Sequence, residues 1–403
     1  MAGPRDLLPR WLVDHHQAHD SANESFVAPS HVHLASWDDG FMPSGCNNRP
    51  GKIVRDFPRD HPGVFSVLDG AVSEQTADLL YASAARATVW GVYVSVEELN
   101  LESKHQKDRE IEFERPEEED QEGYRHNLAV RAVQEFLIAR DDGISITKRD
   151  WQRTHGVAVW VIASDCDNET EYHLDYAEQV RYETNVVFPP IYGATLHVSP
   201  LRNVDTKLLT QHQERETHVF EGGGFHVNLK GLQHYETYGY KTRKQPCRLS
   251  TDELERLSGT ESEWQHVPYA YRRGIICDGE FPHFSGRVRS LPAVVPSSTT
   301  SEAEPLPMKR VVVGFNLFPN EIGACVAKFP EHSGAFNRYV KLSQAAVKQT
   351  RLLSSASNQG GWSLASVRAN PKQAAFIKLL ARKVRENQQR VAGPEATATT
   401  KEA

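Results

Sequence analysis

The chain lacks any cysteine pattern that could staple a fold or cage a zinc ion. Its five cysteines, Cys46, Cys166, Cys247, Cys277 and Cys325, are odd in number, widely spaced and never form a Cys-x-x-Cys pair. That excludes a disulfide framework and a zinc ribbon, and reads as the reduced thiols of an intracellular, cytoplasmic protein. No uncharged apolar run approaches the roughly 18 residues of a membrane span. The amino-terminal MAGPRDLLPRWLVDHHQAHD is broken by Arg, Pro and Asp before a secretory core forms, so no signal peptide is expected. Basic excess is missing too: 46 Lys and Arg stand against 53 Asp and Glu, giving a net charge of −7. Phosphate binding needs a basic surface, so nucleic acid is not expected as a partner. No internal repeat of fixed period is present.

What is there is a globular composition, 39% apolar and 25% charged over 403 residues, with a mean hydropathy of −0.54 that points to long solvated segments. Residues 1–60 are rich in Pro, Gly, Asp, His and Asn without a sustained period, and read as an irregular arm. From Val64, VFSVLDG predicts a strand. AVSEQTADLLYASAARA then predicts a helix capped by Ser73, with Ala77, Leu80, Tyr81 and Ala84 on one face. The acidic run EIEFERPEEEDQE reads as a solvated loop. GYRHNLAVRAVQEFLIAR follows as a helix presenting Leu128, Val130, Val133, Phe136 and Leu137.

After Trp151 the texture changes to short β-branched and aromatic runs: HGVAVWVIA, QVRYETNVVF, GATLHVSP, GGFHVNLKG, RRGIICDG and KRVVVGFNLF. Strands this short and this frequent predict a mainly β fold with flanking helices, an antiparallel barrel or jelly roll. Pro292 to Pro307 reads as a flexible insertion before the last strand. The expected organisation is an arm over 1–60, a domain over 61–330 (helical support 70–140, jelly roll 151–320), and a helical extension with a disordered tail over 331–403.

Candidate chemistry begins at Tyr172-His173-Leu174-Asp175-Tyr176. Two residues apart in an extended chain, His173 and Asp175 project from one face and can chelate. An imidazole and a carboxylate completed by a second histidine make the facial triad that leaves positions open on iron(II). His283 follows a predicted strand and the turn of Asp278, Gly279 and Pro282, where it can enter a cavity. In KRVVVGFNLF, alternation puts Arg310, Val312, Gly314 and Asn316 on one face. A guanidinium there suits a two-pronged carboxylate ligand.

The order and surroundings of these segments, from about His155 to Phe318, resemble the iron(II)- and 2-oxoglutarate-dependent dioxygenases of the prolyl 4-hydroxylase type. The resemblance implies a double-stranded β-helix core of the cupin-like kind. It implies iron bound by His173, Asp175 and His283, 2-oxoglutarate held by Arg310 with Thr195 lining its pocket, O2 as oxidant and ascorbate as accessory reductant. The implied reaction is hydroxylation, with release of succinate and CO2, of a protein side chain such as proline or of a small molecule. Two features depart from the family pattern: His283 and Arg310 lie further apart than usual, and Val312 stands where a serine is common. Lys309, Arg287 and Arg289 therefore remain rival cosubstrate ligands.

Two other classes stay open on sequence alone. His15, His16 and His19 with the pair His31 and His33 could serve a zinc-dependent hydrolase, although that needs a parallel barrel the central region does not suggest. A non-catalytic jelly roll binding a ligand or partner is the other. Tyr235, Tyr238, Tyr240, Lys241 and Arg243 would suit a peptide with acidic flanks.

Overall fold

Alternating apolar side chains make most of the strands, and the two faces of each strand decide what packs where. The computed structural model describes residues 7–13, 29–37, 51–87, 89–99, 121–138, 146–203, 218–239, 249–292, 308–334 and 336. All belong to the unit Met1–Val340; the second unit, Lys341–Ala403, lies outside them. The acidic run up to residue 120, residues 293–307 of the Ser/Thr-rich insertion and nearly all of the expected carboxyl-terminal extension also fall outside.

The strands are β1 (His33–Trp37), β2 (Gly51–Arg55), β3 (Phe65–Leu68), β4 (Val89–Ser95), β5 (Thr154–Ser164), β6 (Val186–Val187), β7 (Tyr192–His197) and β8 (Leu201–Asn203). They continue with β9 (His218–Gly222), β10 (Phe225–Asn228), β11 (Trp264–Val267), β12 (Gly274–Asp278), β13 (His283–Ser285), β14 (Val288–Ser290) and β15 (Arg310–Pro319). A six-stranded sheet runs β3-β12-β7-β15-β5-β4, every pair antiparallel. Opposite it lies β11-β10-β13, extended by a bridge between His283 and His173.

The path of the chain defines the architecture. From β5 it crosses to the His173 segment, returns to β7, crosses to β10 and β11, returns to β12, crosses to β13 and ends in β15. Such shuttling between two antiparallel sheets is the double-stranded β-helix, or jelly roll. Phe225, Val227 and Val267 of the smaller sheet meet Ile275, Cys277, Phe65 and Val67 of the larger, closing the barrel at that side.

The opposite face of the large sheet carries Val157, Val159, Val161, Val311, Val313, Phe315 and Leu317, all buried. It packs on α1 (Glu74–Ala87) and α2 (Gln121–Val133), the second running into a π-helical turn, Gln134–Ile138. Ser73 caps α1, its hydroxyl accepting the Thr76 N–H at 3.2 Å. Leu128, Val130, Val133, Phe136 and Leu137 are buried, as their spacing predicts.

Two local expectations change. QVRYETNVVF is not one strand: α4 (Glu178–Thr184), after the short α3 (Lys148–Arg153), occupies its first part and only Val186–Val187 is extended. Asn185 at φ 57° ends that helix in the left-handed conformation asparagine tolerates. Within 1–60, β1 and β2 pair antiparallel and β6 joins β2 in parallel. The sequence shows no period there, yet Ile53 and Val54 are fully buried by partners far along the chain.

The inward face of β15 is kept clear by glycine. A Cβ on Gly314 would stand 2.0 Å from Cζ2 of Trp160, the residue paired with it on β5. Gly314→Ala is expected to cost about 1–3 kcal/mol, the usual penalty of over-packing, measured as a lower urea midpoint with unchanged slope.

Candidate metal centre

His173 and His283 exchange both backbone hydrogen bonds, His173 N–H to His283 O at 3.0 Å and His283 N–H to His173 O at 2.9 Å. Residues paired in this way put their side chains on the same side of the sheet, and the two rings stand 4.5 Å apart. Asp175, two residues beyond His173, returns to the same point. His173 Nε2 lies 3.4 Å from Asp175 Oδ1, and His283 Nε2 lies 3.7 Å from Asp175 Oδ2. Among the described residues these three are the group of histidine, cysteine and acidic side chains whose ligand atoms all fall within 4.8 Å of one another.

The donor set fits a divalent ion. Each Nδ1 is turned to a backbone carbonyl, His173 to Glu171 O at 2.7 Å and His283 to Phe281 O at 3.1 Å. That bond fixes the proton on Nδ1 and leaves both Nε2 lone pairs facing Asp175. Adjacent ligands on an octahedral ion at about 2.1 Å stand about 3 Å apart, close to the separations here. Burial and the neighbouring His173 push His283 down to about 4, so it is neutral near pH 7. Burial alone would raise Asp175, but the two histidines and the Asn316 amide bring it down to about 2. Burial opposes charge on His173 too, and Asp175 outweighs it, holding that imidazole above its ordinary value.

Asn316 joins the site from β15. With its amide nitrogen toward the centre it donates to Asp175 Oδ2 at 3.1 Å and to Phe315 O at 3.2 Å. Asn316→Ala is expected to weaken divalent-metal affinity by about 10–100-fold, the usual effect of losing an outer partner, read by titrating metal into the apo-protein.

Arg310 lies at the other end of the same strand face, 3% exposed. Its Nε donates to Gly223 O and its Nη2 to Ser285 Oγ, both at 2.8 Å. No carboxylate pairs with it among the described residues, and burial pushes its pKa down to about 10. The rival cations each have their own acid: Lys309 meets Asp165 at 3.4 Å, Arg287 meets Glu169 at 3.0 Å and Arg289 meets Glu255 at 2.5 Å. Thr195 is buried on β7 beside Gly314 and Ile275. The sequence analysis did not single out Gly223, whose φ of 66° is one that L side chains rarely adopt and whose Cβ would stand 2.8 Å from Arg310 Cδ. The signal available was the run Gly222-Gly223-Gly224.

The amino-terminal histidines form no ligand cluster among the described residues. His31 and His33 are exposed, and His31 pairs with Glu321 at 2.7 Å; His15, His16 and His19 lie outside the described residues. Tyr235 reaches the cavity over the centre, a space of about 300 Å³ lined also by Tyr172, Tyr176, Glu178 and Glu331. Tyr238 is exposed on the same short helix, while Tyr240, Lys241 and Arg243 fall outside the described residues.

The fold and the cluster together define a jelly-roll protein with a two-histidine, one-carboxylate centre between its sheets. No protein-family model and no curated protein matches the chain. Among solved structures it is similar to apo HygX from Streptomyces hygroscopicus, at 10% identity and a TM-score of 0.27 over 64% of this chain and 82% of that one. It is also similar to a Pseudomonas putida prolyl-4-hydroxylase, at 10% identity and 0.26 over 64% and 93%. A Trichoplax adhaerens prolyl hydroxylase in complex with a hypoxia inducible factor peptide fragment matches at 7% identity and 0.26 over 65% and 86%.

Proposed function

We propose that the protein is an iron(II)- and 2-oxoglutarate-dependent dioxygenase that hydroxylates its substrate, with His173, Asp175 and His283 as metal ligands and Arg310 as the cosubstrate anchor. The observation behind this is a pairing: a two-histidine, one-carboxylate cluster, and, within the same barrel, a buried guanidinium with no acid of its own among the described residues. A buried cation without a counter-ion is costly, and an incoming carboxylate removes that cost. A ferrous ion with three protein ligands supplies, when bound, oxidative decarboxylation of the 2-oxo acid to succinate and CO2 coupled to substrate hydroxylation.

The protein's own part is positional. Asn316 orients Asp175, the carbonyls of Glu171 and Phe281 orient the imidazoles, and the barrel wall of Ile275, Cys277, Phe225 and Val227 excludes water. The cavity of about 300 Å³ beside His173 is at the small end of ligand pockets. It admits one amino-acid side chain or a small metabolite, and we favour a protein side chain such as proline. A hydrolytic zinc centre built on the amino-terminal histidines has no support from His31 and His33, which are exposed and belong to no ligand cluster among the described residues.

The test is succinate formation from 2-oxoglutarate by protein loaded anaerobically with iron(II) and then exposed to oxygen. Iron-dependent, oxygen-dependent succinate is the expected result. Failure to bind either iron(II) or 2-oxoglutarate would leave a non-catalytic jelly roll in its place.

A further inference from the structure

The cavity over the metal cluster receives its charged side chains from two distant segments. Glu171 and Glu178 flank the His173 and Asp175 stretch, and Glu331 arrives from the chain beyond β15; all three line the space of about 300 Å³. One cation, Arg181, stands among the lining residues. It is engaged with Tyr176, donating to the phenol oxygen while its guanidinium lies 4.8 Å from the ring centre. Iron(II) does not reverse the sign of the site, because Asp175 and a dianionic cosubstrate outweigh its two charges. Tyr172 and Tyr235 complete the lining with aromatic surface.

Glu331 is placed by its backbone. It sits in a turn closed by Ser333 N–H to Pro330 O at 3.0 Å, with His332 at φ 61°, a left-handed conformation that favours glycine. A Cβ on Gly91 of β4 would stand 1.9 Å from Glu331 O, so glycine at that position lets the turn lie this close to the sheet. The His332 ring meets Trp160 at 6.1 Å. Beside the carboxylate is the same imidazole, with His332 Nε2 3.7 Å from Glu331 Oε1. Burial pushes His332 below its ordinary value, so it is neutral near pH 7. No lysine or arginine pairs with Glu331 among the described residues. Burial, with Glu178 and Asp175 nearby, drives the Glu331 carboxyl well above its ordinary value, and its charge goes unanswered until a cation enters.

We propose that Glu331 is the specificity-determining residue of the substrate cavity and that the group it accepts is a cation: the hydroxylated protein side chain is basic, a lysine or an arginine. The assignment rests on the dioxygenase reading above and narrows the side chain from proline to a basic one. The aromatic lining agrees with it, since ring faces attract cations and Tyr176 already carries one guanidinium. A neutral side chain leaves the Glu331 carboxylate without a partner, and an acidic one meets like charge. Lys241 and Arg243 fall outside the described residues, so the charge read here is that of the cavity and not of its approaches.

The experiment uses the full chain loaded with nickel(II) and saturated with 2-oxoglutarate, so that no turnover occurs. Calorimetry then compares two probes of nearly the same shape, butylguanidinium and uncharged butylurea. The wild type is expected to bind butylguanidinium at least about 10-fold more tightly, the worth of a hydrogen bond to a charged group. Glu331→Gln is expected to bring the two probes level, and Glu331→Lys to reverse their order, which a merely structural role would not do. Equal binding of the probes by the wild type, or binding of neither, overturns the assignment. So does an equal loss of both probes in Glu331→Gln, which marks Glu331 as packing, or a preference that survives that substitution. Absence of 2-oxoglutarate binding by the wild type overturns the dioxygenase reading itself, and the preference between the probes is then read on the nickel(II) protein alone.

Discussion

Replacing His283 with alanine is expected to abolish iron-dependent succinate formation and to weaken metal binding by more than about 100-fold, beyond the range seen when only an outer partner is lost. The size of the effect follows from where His283 sits. Its side chain is 10% exposed against 36% for His173, so water reaches the vacated position less easily. Its ring is also held on two sides, by Phe281 O and by the His173 imidazole. The variant should remain folded, because β13 is paired to β10 through its backbone. Metal titration followed by far-ultraviolet circular dichroism separates the two effects. Retained succinate formation at full metal affinity would place the centre elsewhere in the chain.

Arg310→Ala is expected to lower 2-oxoglutarate affinity by more than about 100-fold, because removing one partner of a buried ion pair typically costs about 3–5 kcal/mol. High cosubstrate concentration should restore part of the turnover, since the cluster of His173, Asp175 and His283 is untouched. Lys309→Ala, Arg287→Ala and Arg289→Ala are expected to bind as the wild type does, since each of those cations already has an acid within 4.0 Å. The same physics predicts opposite behaviour in the absence of ligand. A guanidinium 3% exposed and without a carboxylate among the described residues is a burden on the fold, so Arg310→Met should melt no lower than the wild type and above it if packing is kept. A variant that loses binding while gaining stability would mark Arg310 as a functional group retained at the expense of the fold.

Legibility varied with how local each signal is. Strand β15 could be read in the sequence because ten residues in a row suit a strand and alternate in what they carry, with Arg310, Gly314 and Asn316 sharing one face. Helix α1 was legible from Ser73 and the spacing of Ala77, Leu80 and Ala84. Residues 179–188 mislead because Val180 and the pair Val186–Val187, with a polar stretch between them, mimic a strand. A helix of seven residues is too short to display a period of 3.6. Strands β1 and β2 gave no warning either, since their burial comes from neighbours outside their own segment.

The sequence by itself determined the strand-rich character of residues 151–320, the two-residue spacing that puts His173 and Asp175 on one face, and the inward direction of Arg310. Each follows from a period or a spacing within a single segment. Only the tertiary structure decided that His283, 108 positions after Asp175 by subtraction of their numbers, completes the cluster. The same holds for Arg310 rather than Lys309 being the cation without an acid among the described residues, and for Ser285 meeting its guanidinium from another strand. Those relations depend on which strands become neighbours, and hydrogen-bonded pairing between distant segments is fixed by the closing of the barrel, where no short-range pattern records it.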